Sequence, residues 1–130
     1  MKSLIIQNVA TGKYVKRLRL DTVDGPESPS FSPDGKRVVF AAIANGITDI
    51  YSADLATNKL TNLTHDDIAD FSPAFAPDGK SIVYAGRVNS NDKLFQLDLA
   101  SGEKKQLTFG THDDTAPKFF NNKMLVFTST

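Results

Sequence analysis

The sequence has no cysteine, no tryptophan, no net charge and no long apolar run. Without cysteine there are no disulfide staples, no thiol catalysis and no cysteine-ligated zinc. The compartment stays open, because a domain with an adequate core needs no disulfide. Fifteen basic side chains balance fifteen acidic ones. A nucleic-acid binder needs a basic surplus against phosphate, and a polybasic membrane-surface protein needs one against anionic lipid. Neither class fits, and no nucleic acid or membrane insertion is expected. The apolar stretch at residues 4–6 is too short for the core of a signal peptide, and nothing approaches bilayer-spanning length. Helical periodicity is missing too, since the best candidate segment, 65–76, is broken by Pro73. No G-x-S-x-G elbow, phosphate-binding G-x-x-x-x-G-K-[ST] loop or D-x-D-x-D-G calcium loop occurs.

What is present is a repeat. The chain has 130 residues, 40% hydrophobic and 23% charged, a folded composition of single-domain length. Residues 28–64 align with 72–108 at an offset of 44 without a gap, and 15 of the 37 positions are identical. SPSFSPDGKRVVFAA lies over SPAFAPDGKSIVYAG, and DIYSADLATNKLTNLT over KLFQLDLASGEKKQLT. Partial copies flank the two units. NVATGK (8–13) matches DLATNK (54–59), while Pro117, Phe119 and the strand KMLVF (123–127) continue the series.

Each unit reads as four short strands. The first lies around 28–32. Pro33-Asp34-Gly35 then supplies a hairpin turn: proline presets φ, aspartate caps the turn and glycine accepts positive φ. The second strand, 37–43, is apolar on both faces through Val38, Val39, Phe40, Ala41 and Ala42, which predicts a sheet covered on both sides. The third, 49–55, is expected to alternate, and the fourth, 59–64, is polar and lysine-containing, as an exposed edge should be. The basic run Lys13, Lys16, Arg17 and Arg19 is read the same way, as edge protection and not an anion site. A period of 44 with four antiparallel strands predicts an all-β fold, a β-propeller built of four-stranded blades.

The motif S-P-x-F-[SA]-P-D-G-K, followed by an apolar strand and a closing L-T, resembles the TolB-like β-propeller repeat. Similar units occur in the propellers of prolyl-oligopeptidase-like and tricorn-type peptidases. The resemblance implies a propeller whose rings have six blades. It implies a periplasmic protein if the chain is excised from a TolB-like precursor, and a cytoplasmic one if the chain is as given.

Counting strands gives a half blade over 1–20, blades over 28–64 and 72–108, and a half blade over 116–130: three blades' worth. Three blades do not close a ring. Two copies related by a twofold axis would close six, the inner strands at one C-terminus completing the outer strands at the other N-terminus. A segment of a longer propeller is the alternative.

Strand order puts the inter-blade loops 64–73 and 109–119 on one face. Both contain T-H-D-D, so His65, Asp66, Asp67, Asp70, His112, Asp113 and Asp114 are the candidate binding residues. Carboxylates suit a hard cation, but aspartates in such loops more often cap turns, so no metal and no cofactor are expected. Phe31, Phe75 and Phe119 recur at the repeat offset, which fits blade packing better than a sugar-binding channel. The functional expectation is a non-catalytic scaffold for a protein or peptide partner, completed by homodimerisation. The alternatives are the propeller part of a peptidase or other enzyme, and a small-ligand or sugar-binding propeller.

Overall fold

The computed structural model describes residues 2–130; Met1, the first residue of the expected half blade 1–20, lies outside them. All regular structure among the described residues is β. Twelve strands follow in order: β1 (Lys2–Gln7), β2 (Tyr14–Leu20), β3 (Asp24–Phe31), β4 (Arg37–Ala44), β5 (Ile47–Asp54), β6 (Leu60–Asn62), β7 (Asp70–Phe75), β8 (Ser81–Val88), β9 (Asn91–Asp98), β10 (Lys104–Gln106), β11 (Asp114–Asn121) and β12 (Met124–Ser129). They form a two-stranded sheet β1-β2, two four-stranded sheets β3-β4-β5-β6 and β7-β8-β9-β10, and a two-stranded sheet β11-β12. Every pairing is antiparallel.

Turn chemistry repeats with the sequence. Asp34 and Asp78 accept from the backbone N–H of Lys36 and Lys80, both at 2.9 Å, and Gly35 and Gly79 take the positive φ the turn requires. Asn121 replaces them in the last hairpin and accepts from the N–H of Lys123 and Met124. The turn after the third strand occurs three times. The backbone N–H of Thr11, Thr57 and Ser101 donates to Asn8, Asp54 and Asp98 respectively. The β1-β2 hairpin thus shares the turn that joins the third and fourth strands of the two four-stranded sheets.

The innermost strands begin earlier than expected, at Asp24 and Asp70 in the two four-stranded sheets and at Asp114 in the last. Each contains a bulge. Register slips between Glu27 and Ser30, Phe71 and Ala74, and Thr115 and Lys118. At each bulge the residue before proline has positive φ: Ser28 (53°), Ser72 (54°) and Ala116 (53°). Pro29, Pro73 and Pro117 have no N–H to donate, so the ladder is interrupted there and the strand resumes after one extra residue.

The third strand does not alternate between buried and exposed. Asp49 to Ala53 are all buried, because neighbouring sheets cover both faces. Val38, Phe40, Ala42, Tyr51 and Ala53 pack towards Leu18 and Leu20 of β2. Val39, Ala41 and Ile50 pack the other way, towards Phe75, Ile82 and Tyr84. One sheet thus feeds two cores, each fully buried valine, leucine or isoleucine side chain contributing about 1.5–3 kcal/mol. Strand β7 contacts β3, β4 and β5, and β11 contacts β7, β8 and β9, so successive sheets stack face to face through the innermost strand of the next.

Candidate functional site

The loop residues separate by role. His65 and Asp67 are exposed beside half-buried Asp66 and line a cleft with Asn45, Asp49, Tyr51 and Asn62. His112 is exposed on the other inter-blade loop. Asp113 acts as a cap: its carboxylate accepts from Asn91 Nδ2 at 3.1 Å and from the N–H of Asp92 at 3.0 Å. Those bonds hold its pKa below the ordinary carboxylate range, the backbone bond most strongly. The two T-H-D-D segments are therefore not equivalent. They lie 47 residues apart, whereas the sheets repeat at 44, so Asp113 corresponds to Ala69 and not to Asp66.

Asp70 and Asp114 are true equivalents, and they are not loop residues. Each opens an innermost strand and is buried against the preceding sheet. The residue each one faces lies on the third strand of that sheet, at Asp49 and Lys93, which are also 44 apart. Sequence reasoning passed over Asp49 and Lys93; the signal was a charge reversal between aligned strand positions.

At the junction of the third and fourth sheets the charges match. Lys93, 1% exposed, donates from Nζ to Asp114 Oδ2 at 2.9 Å and to the carbonyl of Phe109 at 3.3 Å. Asp114 has its pKa lowered, first by a hydrogen bond from Ser129 and further by Lys93, against the effect of burial.

At the junction of the second and third sheets the charges are alike. Asp49 accepts from Asn62 Nδ2 at 2.8 Å and from the Thr64 hydroxyl at 3.2 Å. Asp66 accepts from Lys104 Nζ at 2.9 Å, and the same ammonium donates to the carbonyl of Thr64. Asp70 is 0% exposed, and among the described residues neither of its carboxylate oxygens has a hydrogen-bond partner. One ligand oxygen from each of Asp49, Asp66 and Asp70 lies within 4.8 Å of the others. Burial pushes the Asp70 pKa up to about 7, opposed first by the nearby Thr64 hydroxyl, whose hydrogen bond goes to Asp49 and not to Asp70, and then by Lys104, while the charges of Asp66 and Asp49 add to the rise. The nearby Tyr84 phenol is raised as well, mainly by burial and then by Asp70.

Gly86, directly opposite Asp70 in the ladder, makes room for that carboxylate. A Cβ there would stand 2.7 Å from Asp70 Oδ1 and 3.2 Å from the Phe95 ring. In the preceding sheet the equivalent position is Ala42, facing a strand with Pro26 in place of the aspartate.

A second feature lies at the open side of the β3 sheet. Phe31 is 54% exposed, although its equivalent Phe75 is 8% exposed beneath the Arg37 guanidinium. Phe31 borders an apolar cleft lined by Leu4, Ile5, Ile6, Pro29 and Val38, between the β1-β2 hairpin and β3-β4. At the other end of the chain, Met124, Val126 and Phe127 of β12 are exposed.

Comparison with known proteins places this architecture. No curated protein sequence matches the chain. Among solved structures it is similar to TolB from Acinetobacter baumannii, with 28% identity and a TM-score of 0.73 over 88% of this chain and 28% of that one. It is similar to a TolB candidate from Agrobacterium tumefaciens, with 20% identity and a TM-score of 0.79 over 98% and 50%. A puromycin hydrolase shares the fold at 23% identity and a TM-score of 0.63, over 77% of this chain and 16% of its own. The chain thus spans half or less of the length of each of these structures. A family model described as the TolB beta propeller domain matches residues 1–130. With that match over its whole length, the chain belongs to the TolB β-propeller domain family.

Proposed function

We propose that this chain is a non-catalytic β-propeller scaffold that binds a protein or peptide partner on its loop face, its ring closed by a second copy. The observation that carries the closure is the complementarity of the two half blades. β1-β2 has the turn of an outer pair, and β11-β12 has the bulge and hairpin of an inner pair. The apolar cleft beside Phe31 lies where the inner strands of that blade would sit. Repeat equivalence sets the register. In the complete sheets Phe40 pairs with Tyr51 and Tyr84 with Phe95, while Val39 pairs with Ser52 and Val83 with Gln96. Transferred to the half blades, Phe127 would pair with the partner's Ile5, and Val126 with the partner's Ile6.

The absence of cysteine makes the register directly testable. A chain carrying Val126→Cys and Ile6→Cys should form disulfide-linked dimers under mild oxidation, seen on non-reducing gels. Crosslinking should fail when Val126→Cys is paired with Gly46→Cys. A folded double variant that stays uncrosslinked, or that yields a ladder of higher multimers, would overturn the closed dimer. The scaffold reading rests on the TolB similarity and the lack of a recognisable activated nucleophile. The propeller part of a hydrolase is the second reading, and the puromycin hydrolase similarity favours it.

A further inference from the structure

Buried charges in proteins are paired with an opposite charge or with a metal. The Lys93–Asp114 junction obeys that rule with an ammonium. Its equivalent one blade earlier has the same aspartate, Asp70, but carries Asp49 where the lysine stands. Replacing a buried lysine by a carboxylate would leave two negative groups facing each other across a sheet junction. The neighbourhood does not compensate by apolar packing. It brings in a third carboxylate, Asp66, within 4.8 Å. It also keeps a glycine opposite Asp70, so that the carboxylate has space, and leaves both Asp70 oxygens without a donor although they are fully buried.

We propose that Asp49, Asp66 and Asp70 hold a divalent, oxygen-preferring cation at the junction of the second and third sheets, in the place that the Lys93 ammonium fills at the next. Charge and ligand type both support this class. Three carboxylates against the single ammonium of Lys104 leave two negative charges, which a divalent ion balances. The ligand set is all oxygen, with no thiolate, and the exposed imidazole of His65 stands outside the set. Such a set suits calcium, magnesium or manganese over zinc or copper. The Thr64 hydroxyl, already bonded to Asp49, is a further oxygen at the site, and water would complete the coordination. The ion would tie together the third strand of one sheet, the inter-blade loop and the innermost strand of the next. It would therefore act as a rivet between blades.

The test uses the intact chain, freed of metal with chelator and desalted, melted in the presence of calcium, magnesium or manganese chloride. At least one of these should raise the Tm by more than about 3 °C at millimolar concentration, saturably. The rise should vanish in Asp70→Asn and in Asp49→Lys, the second of which rebuilds the Lys–Asp pairing of the neighbouring junction. It should persist in Asp114→Asn, which alters only that neighbouring junction. No rise with any of the three salts would overturn the site. So would a rise that survives in both Asp70→Asn and Asp49→Lys, because the cation would then bind elsewhere. If Asp70→Asn does not fold, Asp49→Lys decides, and the wild-type titration stands independently of both.

Discussion

Two junctions in this chain share one backbone and differ in one charge. Where the third sheet meets the fourth, Lys93 on β9 answers Asp114 on β11. Where the second meets the third, Asp49 on β5 faces Asp70 on β7. Both aspartates open an innermost strand, both lie two residues before a bulge, and both are buried. The first junction is electrostatically complete within the chain and the second is not. Blade geometry therefore does not dictate how a junction is neutralised. The fold fixes where the charge sits, and the residue on the facing third strand decides what it requires.

The comparison can be broken hardest from the complete side. Lys93→Ala should leave Asp114 buried beside an empty position and cost about 3 kcal/mol, read from chemical denaturation. A loss below about 1 kcal/mol would show that water already solvates the pair. On the incomplete side, removing a charge should do the opposite. In chelator, Asp70→Asn should be more stable than the wild type at neutral pH.

The same variant sharpens the contrast through pH. Asp70 has a folded pKa of about 7 against an ordinary value of 3.8. Below about pH 4 it is protonated whether folded or not and costs nothing. Between about pH 4 and 7 the unfolded chain loses this proton while the folded chain keeps it, so stability falls as pH rises and levels off above 7. The groups facing it are Asp49 on β5, Asp66 on the loop, Tyr84 on β8 and Lys104 on β10. In chelator, the wild-type-minus-Asp70→Asn difference in melting temperature should follow that window. A flat difference would show that neither burial nor the facing carboxylates raises the Asp70 pKa in the folded chain.

Gly86→Ala should destabilise by about 1–2 kcal/mol, since the added carbon has to displace the Asp70 carboxylate or the Phe95 ring. Combined with Asp70→Ala, most of that cost should disappear, because the crowding partner is gone. Additive losses in that cycle would place the strain on Phe95 instead. The smallest expected effect concerns the feature all three innermost strands share. Ala116 holds φ at 53°, so Ala116→Gly should relieve local strain, offset by added freedom in the unfolded chain. The net gain should be under about 1 kcal/mol by thermal melting. A clear loss would mean that the methyl group packs usefully at the bulge.

The repeat made most of the architecture legible. Self-similarity at 44 residues located the hairpins, the doubly buried second strand, the short polar edges β6 and β10, and the two-stranded sheets at both ends. The bulges were not legible. Positive φ at Ser28, Ser72 and Ala116 belongs to the bulge in each innermost strand, and neither serine nor alanine announces it. Pairing continues on the N-terminal side of each bulge, so the innermost strands start at Asp70 and Asp114 and both residues lie in the core and not in a loop. By sequence the third strand reads as half-exposed, because Asp49 and Ser52 look like surface residues until a neighbouring sheet covers them. The repeated letters T-H-D-D drew attention to His65, Asp66, Asp67, His112 and Asp113, yet the register of the sheets makes the second copy a different structural object. The informative signal was quieter: an aspartate aligned with a lysine in the middle of otherwise matching strands.

The reading of this chain as half of a ring rests on the unpaired edges of β1 and β12, and its mass in solution tests that most directly. Light scattering on the intact chain at micromolar concentration should give about twice the 14.2 kDa of one chain, a discrete species that does not grow with concentration. A folded, soluble monomer of 14.2 kDa, or an open series of larger multimers, would contradict it.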